Sequence, residues 1–521
     1  MLEQIQRRKF VFLVCLIAFS CGPSERLENN PSTDKGSDSY FVWEPVELFI
    51  PGDPLINFHI AFRTGAIDDP VQKDGLNALT ALMVVRGGTQ TISYEEITKM
   101  LYSWSASITV QSDKEMTTIS GHVHRDHLEP FYEILRDLII SPGFNESDFK
   151  RNKDFLTNAV VSTLRGNNDE ELGKQALNTL MYKGHPYGVP EIGTEMGLGA
   201  ITLDDVRAFY GRQYTRNNLL VGIAGGYPSG FGDRVALDIG GPNGLPDGNS
   251  DLPTLETPRA LEDIELLIVE KQSIATAISI GFPLGITRSE DDFFALLVAN
   301  SYFGEHRTFN GLLMNKMRGE RGLNYGDYSY IENFIQDGGS RFPVANIPRR
   351  QQSFSIWIRP VPHHNAHFAL KQALYELKML VENGITEQDF EITREFLLNY
   401  SNLYVQTANR RLGYMMDSNF YESNYYIHEI QTRLPLLTVD AVNAAISRHL
   451  QYRNLAVAVV TTDAERFRDK LLTNDLSPPR YNTKVSDQIL AEDEKIVSHE
   501  LAINPDSLQI VPVEELFREA W

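Results

Sequence analysis

Three histidines and an aspartate fall within six residues in His122-Val123-His124-Arg125-Asp126-His127. Imidazoles and a carboxylate at that density could hold one or two zinc ions and activate water for hydrolysis. The opposing reading is a solvated strand end running into a helix start, and the equivalent place in the second half of the chain is also rich in histidine (His363, His364, His367). A second segment, Leu312-Leu313-Met314-Asn315-Lys316-Met317-Arg318-Gly319-Glu320-Arg321-Gly322-Leu323-Asn324-Tyr325, sets a guanidinium and a phenol around a helix-to-strand junction. Arg318 and Tyr325 can both donate hydrogen bonds to peptide carbonyls whatever the side chains of the peptide, so they suit binding and not bond cleavage. The alternative is that Arg318 only sits near the carbonyl end of a helix stopped at Gly322 while Tyr325 packs in a strand. Arg321 is a weaker candidate, one helical step off. Glu170 and Glu171 follow Asn168-Asp169 and fit the first turn of a capped helix, and His185-Pro186-Tyr187-Gly188 fits a turn; neither is assigned catalysis.

An internal repeat supplies the elements that must position these residues. Phe390 stands 241 residues after Phe149, and Phe396 stands 241 after Phe155, each within a similar string: Asp148-Phe149-Lys150-Arg151 against Asp389-Phe390-Glu391-Ile392, and Phe155-Leu156-Thr157-Asn158 against Phe396-Leu397-Leu398-Asn399. The pattern from His127-Leu128 matches that from His367-Phe368, and Tyr214-Thr215-Arg216-Asn217-Asn218-Leu219 opens an apolar strand much as Tyr452-Arg453-Asn454-Leu455 does. Features in one order at nearly one offset imply duplication. Alternation predicts strands over residues 57–62 and 353–358, and helical periodicity predicts helices over residues 128–140 and 369–381. Strands and helices intersperse without a strict βαβ rhythm, so the expected class is α+β: two homologous half-domains, each a sheet with helices packed on one face. The expected boundaries are residues 41–228 for the first half-domain, a linker over 229–258 within the Gly/Pro-dense stretch 225–258, residues 259–470 for the second, and a tail over 471–521. That tail carries an apolar clamp, Ile510-Val511-Pro512-Val513 with Leu516-Phe517, expected to dock on the body.

With 521 residues, 42% hydrophobic and 22% charged, the chain has the balance of an ordinary folded protein with more than one core. Its 69 acidic against 48 basic side chains give a net charge of -21, which repels a phosphate backbone and argues against nucleic acid as a partner. Arg7, Arg8 and Lys9 precede an apolar run from Phe10 to Ser20, the charge order and length of a secretory signal over residues 1–20, too short to span a bilayer. Ala18-Phe19-Ser20-Cys21-Gly22 resembles the signal of bacterial lipoproteins, in which the cysteine is acylated, although Ala18 stands where Leu is usual; simple cleavage after a small residue is the alternative. The expectation is an exported, periplasmic chain anchored through Cys21 to a bacterial membrane, the outer one because Gly22 stands where Asp often marks inner-membrane retention. Cys15 lies inside the signal, so one thiol and no intrachain disulfide are expected after processing, and residues 21–40 read as a polar tether.

The run Gly75-Leu76-Asn77-Ala78-Leu79-Thr80-Ala81-Leu82-Met83-Val84-Val85-Arg86-Gly87-Gly88-Thr89 resembles the zinc-motif helix of the insulinase and pitrilysin family of peptidases, which includes the mitochondrial processing peptidases. That helix reads Gly-x-Ala-His-x-x-Glu-His, followed by Met and a Lys-Gly-Thr turn. Laid along it, the two histidine positions become Ala78 and Leu82, the water-activating glutamate becomes Ala81, and the third ligand, a Glu on a later helix, falls near Asn158. Residues i and i+4 on a helix can grip one ion, but methyl and isobutyl groups cannot. The segment holding Arg318 and Tyr325 resembles the family's Leu-Arg-x-x-x-Gly-Leu-x-Tyr, whose Arg and Tyr hold substrate backbone opposite the zinc. The resemblance runs from about Val46 to the C-terminus and implies a clam-shell chamber half. In two-chain members one subunit brings zinc and the other is metal-free, and together they enclose a chamber for unfolded peptides. It therefore implies a non-catalytic subunit with no cofactor of its own, in a heterodimer or larger assembly with a zinc-bearing relative. Two other readings stand beside it. One is a lipid-anchored scaffold or peptide-binding protein with no enzyme partner. The other is a zinc hydrolase using His122, His124, Asp126 and His127, which spell the His-x-His-x-Asp-His string of metallo-β-lactamase-type hydrolases but have Pro130 where those enzymes have Gly.

Overall fold

The computed structural model describes residues 44–248, 253–308, 310–336, 338 and 340–521. The expected signal, Cys15, Cys21 and the tether lie outside these residues. Two sheets organise the rest. The first comprises β1 (Val46–Phe49), β2 (Leu55–Phe62), β3 (Ser107–Ser112), β4 (Thr117–His124) and β5 (Leu219–Gly225), in the order β1-β5-β2-β4-β3. The second comprises β6 (Glu265–Glu270), β7 (Thr276–Leu284), β8 (Asp327–Tyr330), β9 (Gln352–Val361), β10 (Ala456–Thr461) and β11 (Leu508–Pro512), in the order β11-β6-β10-β7-β9-β8. Without β11 the second order is the first repeated, and the senses repeat too. The β1/β5 and β6/β10 pairs are parallel and the remaining pairs of each five-strand set are antiparallel. The duplication inferred from sequence is thus a duplication of topology, in the α+β class expected.

The β2 strand shows why each sheet ends up between layers. Ile56, Phe58, Ile60 and Phe62 project to one face and are fully buried, each worth roughly 1.5–3 kcal/mol. Against them lies the helix Leu128–Ile140, whose Leu128, Phe131, Tyr132, Leu135, Leu138 and Ile139 recur at the three-to-four-residue spacing of one buried stripe. The Phe58 ring lies 5.8 Å from that of Phe131 and 6.2 Å from that of Phe231. Phe231 opens a helix, Phe231–Gly240, inside the stretch expected as linker. There the density of Gly and Pro hides the i, i+4, i+8 set Phe231, Val235 and Ile239, all buried in the core.

The opposite face of each sheet is covered by a helix from the other half, an exchange that goes beyond the one-face packing expected. Ala408–Phe420 lies on the first sheet, with Leu412 and Met416 buried against Ala61, Leu220 and Ala224. The approach is so close that a Cβ on Gly222 would come within 2.5 Å of Met416 Sδ. His59 Nε2 pairs with Asn409 Oδ1 at 2.7 Å across the same contact. Reciprocally, Asp169–Met181 lies on the second sheet, placing Gly173 beside Ser279 and Val460 and Leu177 beside Gly281.

Buried ion pairs fasten this seam. Arg349 of the second half donates to Asp113 at 2.6 and 2.8 Å and to Glu191 at 2.9 Å, and Lys114 pairs with Glu191 at 3.3 Å. Burial pushes the Glu191 carboxyl up, but Lys114 and Arg349 overcome that and hold it at about 2. After β11 joins β6, the chain crosses to the first half, where Glu195 N–H donates to Phe517 O at 3.0 Å and Arg165 Nε donates to Leu516 O at 2.6 Å. Leu516 and Phe517 are buried, as the apolar clamp requires.

Candidate functional site

The helix Leu76–Arg86 carries the run read as a degenerate zinc motif. Asp69 holds its start, accepting from the backbone N–H groups of Gly75 and Asn77 at 2.7 Å each. Burial pushes that carboxyl up to about 7 despite the two hydrogen bonds. Asn77 donates to Ser112 Oγ at 2.5 Å, tying the helix to the end of β3. Every residue from Leu76 to Val85 is buried. A helix buried on all sides is a core element, and Ala78, Ala81 and Leu82 are part of that packing. The helix Glu146–Asn158 packs against it, with Asn152 Nδ2 3.4 Å from Met83 Sδ and the Arg86 guanidinium over the Phe155 ring at 4.9 Å. Asn158 ends that helix on the surface. The two helices pack together, but Ala78, Ala81 and Leu82 offer no nitrogen, oxygen or sulfur to a cation. These positions do not fit zinc.

The structure does not bring the rival metal string together. His122 Nδ1 pairs with Asn57 Oδ1 at 2.9 Å, and His124 Nδ1 lies 3.3 Å from Asp126 Oδ2 and accepts from the Asp126 N–H. His127 stacks on Trp104 at 5.7 Å. The residues end β4, pass through one short turn and start Leu128–Ile140, so they diverge. Among the described residues no three or more His, Cys, Asp or Glu side chains gather to hold a metal ion.

Arg318 and Tyr325 do come together. Helical turns over Met314–Gly319 end with Gly322 at φ +61°, where its N–H donates to Arg318 O at 2.9 Å and Leu323 N–H donates to Met317 O at 3.0 Å. This turn swings the chain back so that the Arg318 guanidinium lies over the Tyr325 ring at 4.4 Å. Tyr325 is 67% exposed and precedes β8, so it is not packed in a strand. Asn324 fixes the loop, donating to Asp327 Oδ1 at 2.6 Å and to Arg359 O at 3.0 Å. Burial, with Glu170 adding, pushes the Asp327 carboxyl up to about 8 against the opposing pull of Asn324 and Arg359. Arg321 is spent elsewhere: its side chain is fully buried and bonds Asp493 at 2.9 Å and Glu492 at 3.1 Å.

Sequence reasoning missed Arg359 and underused Glu170. The Arg359 guanidinium also lies 5.5 Å from the centre of the Tyr325 ring, and it donates to Glu170 at 3.1 Å. Glu170 is in the first turn of the exchanged helix, capped by Asn168 as expected, and it also pairs with Lys174 at 3.3 Å. Lys174 Nζ sits 3.8 Å from the centre of the Trp357 ring. A continuous chain of side chains therefore runs from Arg318 through Tyr325, Arg359, Glu170 and Lys174 to Trp357, and it crosses from one half to the other twice. No local signal marks it, because its members are brought together by the helix exchange.

Comparison with known proteins points to one family. Residues 51–195 match the family model described as Insulinase (Peptidase family M16), and residues 200–397 match that described as Peptidase M16 inactive domain. Curated relatives include the "Uncharacterized zinc protease YmxG" of Bacillus subtilis, 21% identical over 81% of this chain and 97% of that protein, and the "Non-peptidase homolog YmxG" of Helicobacter pylori, 22% identical over 78% and 89%. Among solved structures, a peptidase M16 inactive domain from Pseudomonas fluorescens is similar with a TM-score of 0.68 at 21% identity, covering 81% of this chain and 97% of that one. The periplasmic protease PqqL of Escherichia coli is similar with a TM-score of 0.62 at 15% identity, covering 89% of this chain but 50% of its own.

Proposed function

Because the chain belongs to the insulinase family, peptidase family M16, we propose that it is a non-catalytic subunit that pairs with a zinc-bearing relative. In this reading it contributes half of a chamber for unfolded peptides and supplies Arg318 and Tyr325 as substrate contacts. The observation that carries the reading is the contrast within one frame: the motif helix is kept to its caps, yet Ala78, Ala81 and Leu82 put hydrocarbon where two ligands and a base would stand. Without a metal to lower the pKa of water from about 15.7 toward about 7, that site has no nucleophile of useful strength at neutral pH. The names of relatives point both ways, zinc protease and non-peptidase homolog, so the side chains and not the names support the assignment. PqqL supports the pairing, since this chain matches half of a chain twice as long. A guanidinium at the end of the helical turns and an exposed phenol on the loop after them suit recognition of backbone carbonyls, which every peptide carries.

The test is purification from the native source with a search for a bound His-x-x-Glu-His protein. A stable complex whose peptide cleavage falls in Arg318→Ala while the complex persists is the expected result. Absence of such a partner would favour a scaffold or peptide-binding protein, and unchanged cleavage would remove Arg318 from substrate contact. We propose in addition that the chain is exported and held at a membrane by acylation of Cys21. Cys21→Ala should then leave the protein in the soluble periplasmic fraction, and retention in membranes would refute the anchor.

A further inference from the structure

A cavity of about 420 Å³ opens at the seam between the halves, a volume in the range of small-ligand sites. Its walls come from the exchanged helix Asp169–Met181, the end of β3, the loop carrying Phe334 and Ile335, and the face of β9 that presents Ser353, Ser355 and Trp357. The charges at this cavity are matched by opposite partners. Asp113 and Glu191 are neutralised by Arg349, Glu332 by Arg288 at 2.8 and 3.0 Å, and Lys174 by Glu170 and Glu171. A charged ligand would have to break such a pair to gain one of its own, at a desolvation cost that buried pairs do not return. What the cavity offers instead is the apolar surface of Phe334 and Ile335 beside the edge of the buried Trp357, among uncharged hydroxyl and amide side chains such as Ser355 and Asn178.

The cavity also adjoins the Arg318–Tyr325 pair. Trp357 and Arg359 are alternate residues of β9 and so project to the same face, about 7 Å apart. One lines the cavity and the other flanks Tyr325. An extended peptide advances about 3.3 Å per residue, so a peptide carbonyl held at Tyr325 places a side chain roughly two residues away over the cavity. We infer that the seam cavity receives an uncharged, apolar side chain of the extended peptide whose backbone is held at Arg318 and Tyr325. This inference rests on the proposed peptide-binding role and adds to it a preference for apolar over charged residues at one position.

The experiment measures binding of short fluorescein-labelled Gly/Ser peptides, carrying one central Phe, Asp or Lys, to the full chain by fluorescence anisotropy. The parent should bind the Phe peptide about tenfold more tightly than the other two, the discrimination available to an apolar pocket. Asn178→Phe, at a half-exposed helix position on the cavity wall, should abolish that preference. Thr163→Trp at the exposed rim serves if the first variant does not fold. Arg318→Ala should weaken all three peptides together. Equal binding of the three peptides by the parent, or a preference that survives filling of the cavity, would overturn the pocket while the Arg318→Ala result judges the backbone contact by itself. Failure of the parent to bind any of the peptides would overturn both.

Discussion

The motif helix Leu76–Arg86 and the loop at Gly322–Gly326, the two segments that resemble the family's motifs, differ sharply in what they present. In the first, every residue from Leu76 to Val85 is buried and the positions of interest carry no heteroatom. In the second, Tyr325 is 67% exposed beside two guanidinium groups and the loop is held by Asn324. The comparison teaches that a catalytic helix can lose its chemistry and persist because the fold still needs its packing. The loop contributes little to the core, and on the proposed reading it is kept for what it presents.

The largest expected effect comes from forcing the lost chemistry back into the helix. Ala81 is fully buried, so Ala81→Glu strands a carboxylate without a partner and should cost about 3–5 kcal/mol in urea unfolding. A neutral result would show that the site is open and hydrated. Leu79→Ala, which only empties space in the same helix, should cost about 2–5 kcal/mol by cavity formation. On the loop the expectation reverses. Arg318→Ala removes the stacking on Tyr325 and should shift unfolding by about 1 kcal/mol, yet weaken peptide binding roughly 10- to 100-fold, the loss of one charge-assisted hydrogen bond. Tyr325→Phe keeps the ring under both guanidinium groups and removes only the hydroxyl, so binding should fall about fivefold.

A last effect is one of pH. Asp327 has its carboxyl raised from 3.8 to about 8, so the folded state takes up a proton more readily than the unfolded chain. The stability that this contributes is fully present below about pH 4 and is lost as pH rises through about 8. Asp327→Asn should therefore flatten the decline in stability between those limits, measured by urea unfolding across pH. A parallel pair of curves would show that Asp327 does not titrate in that window.

Much of this was legible in the residues themselves. The repeat at an offset near 241 announced two copies of one unit, and the helix over residues 128–140 was readable to its ends because its apolar stripe is regular and its boundaries are marked. The replacement of ligands at Ala78, Ala81 and Leu82 is a property of composition at fixed spacing, and no fold could supply the missing atoms. The helix Phe231–Gly240 was obscured because glycine lowers local helix preference while three well-spaced apolar residues secure it through packing.

Sequence by itself therefore determined the duplication, the α+β class and the absence of zinc-binding side chains at the motif, since each follows from residue types at set intervals. Only the tertiary structure decided that the halves exchange helices, that Arg359 joins Arg318 around Tyr325, and that a cavity lies beside them. Those relations join residues far apart in the chain, such as Glu170 with Arg359 and His59 with Asn409. They arise from burial of sheet faces that neither half can cover with its own helices, and no local pattern encodes which distant helix will do so.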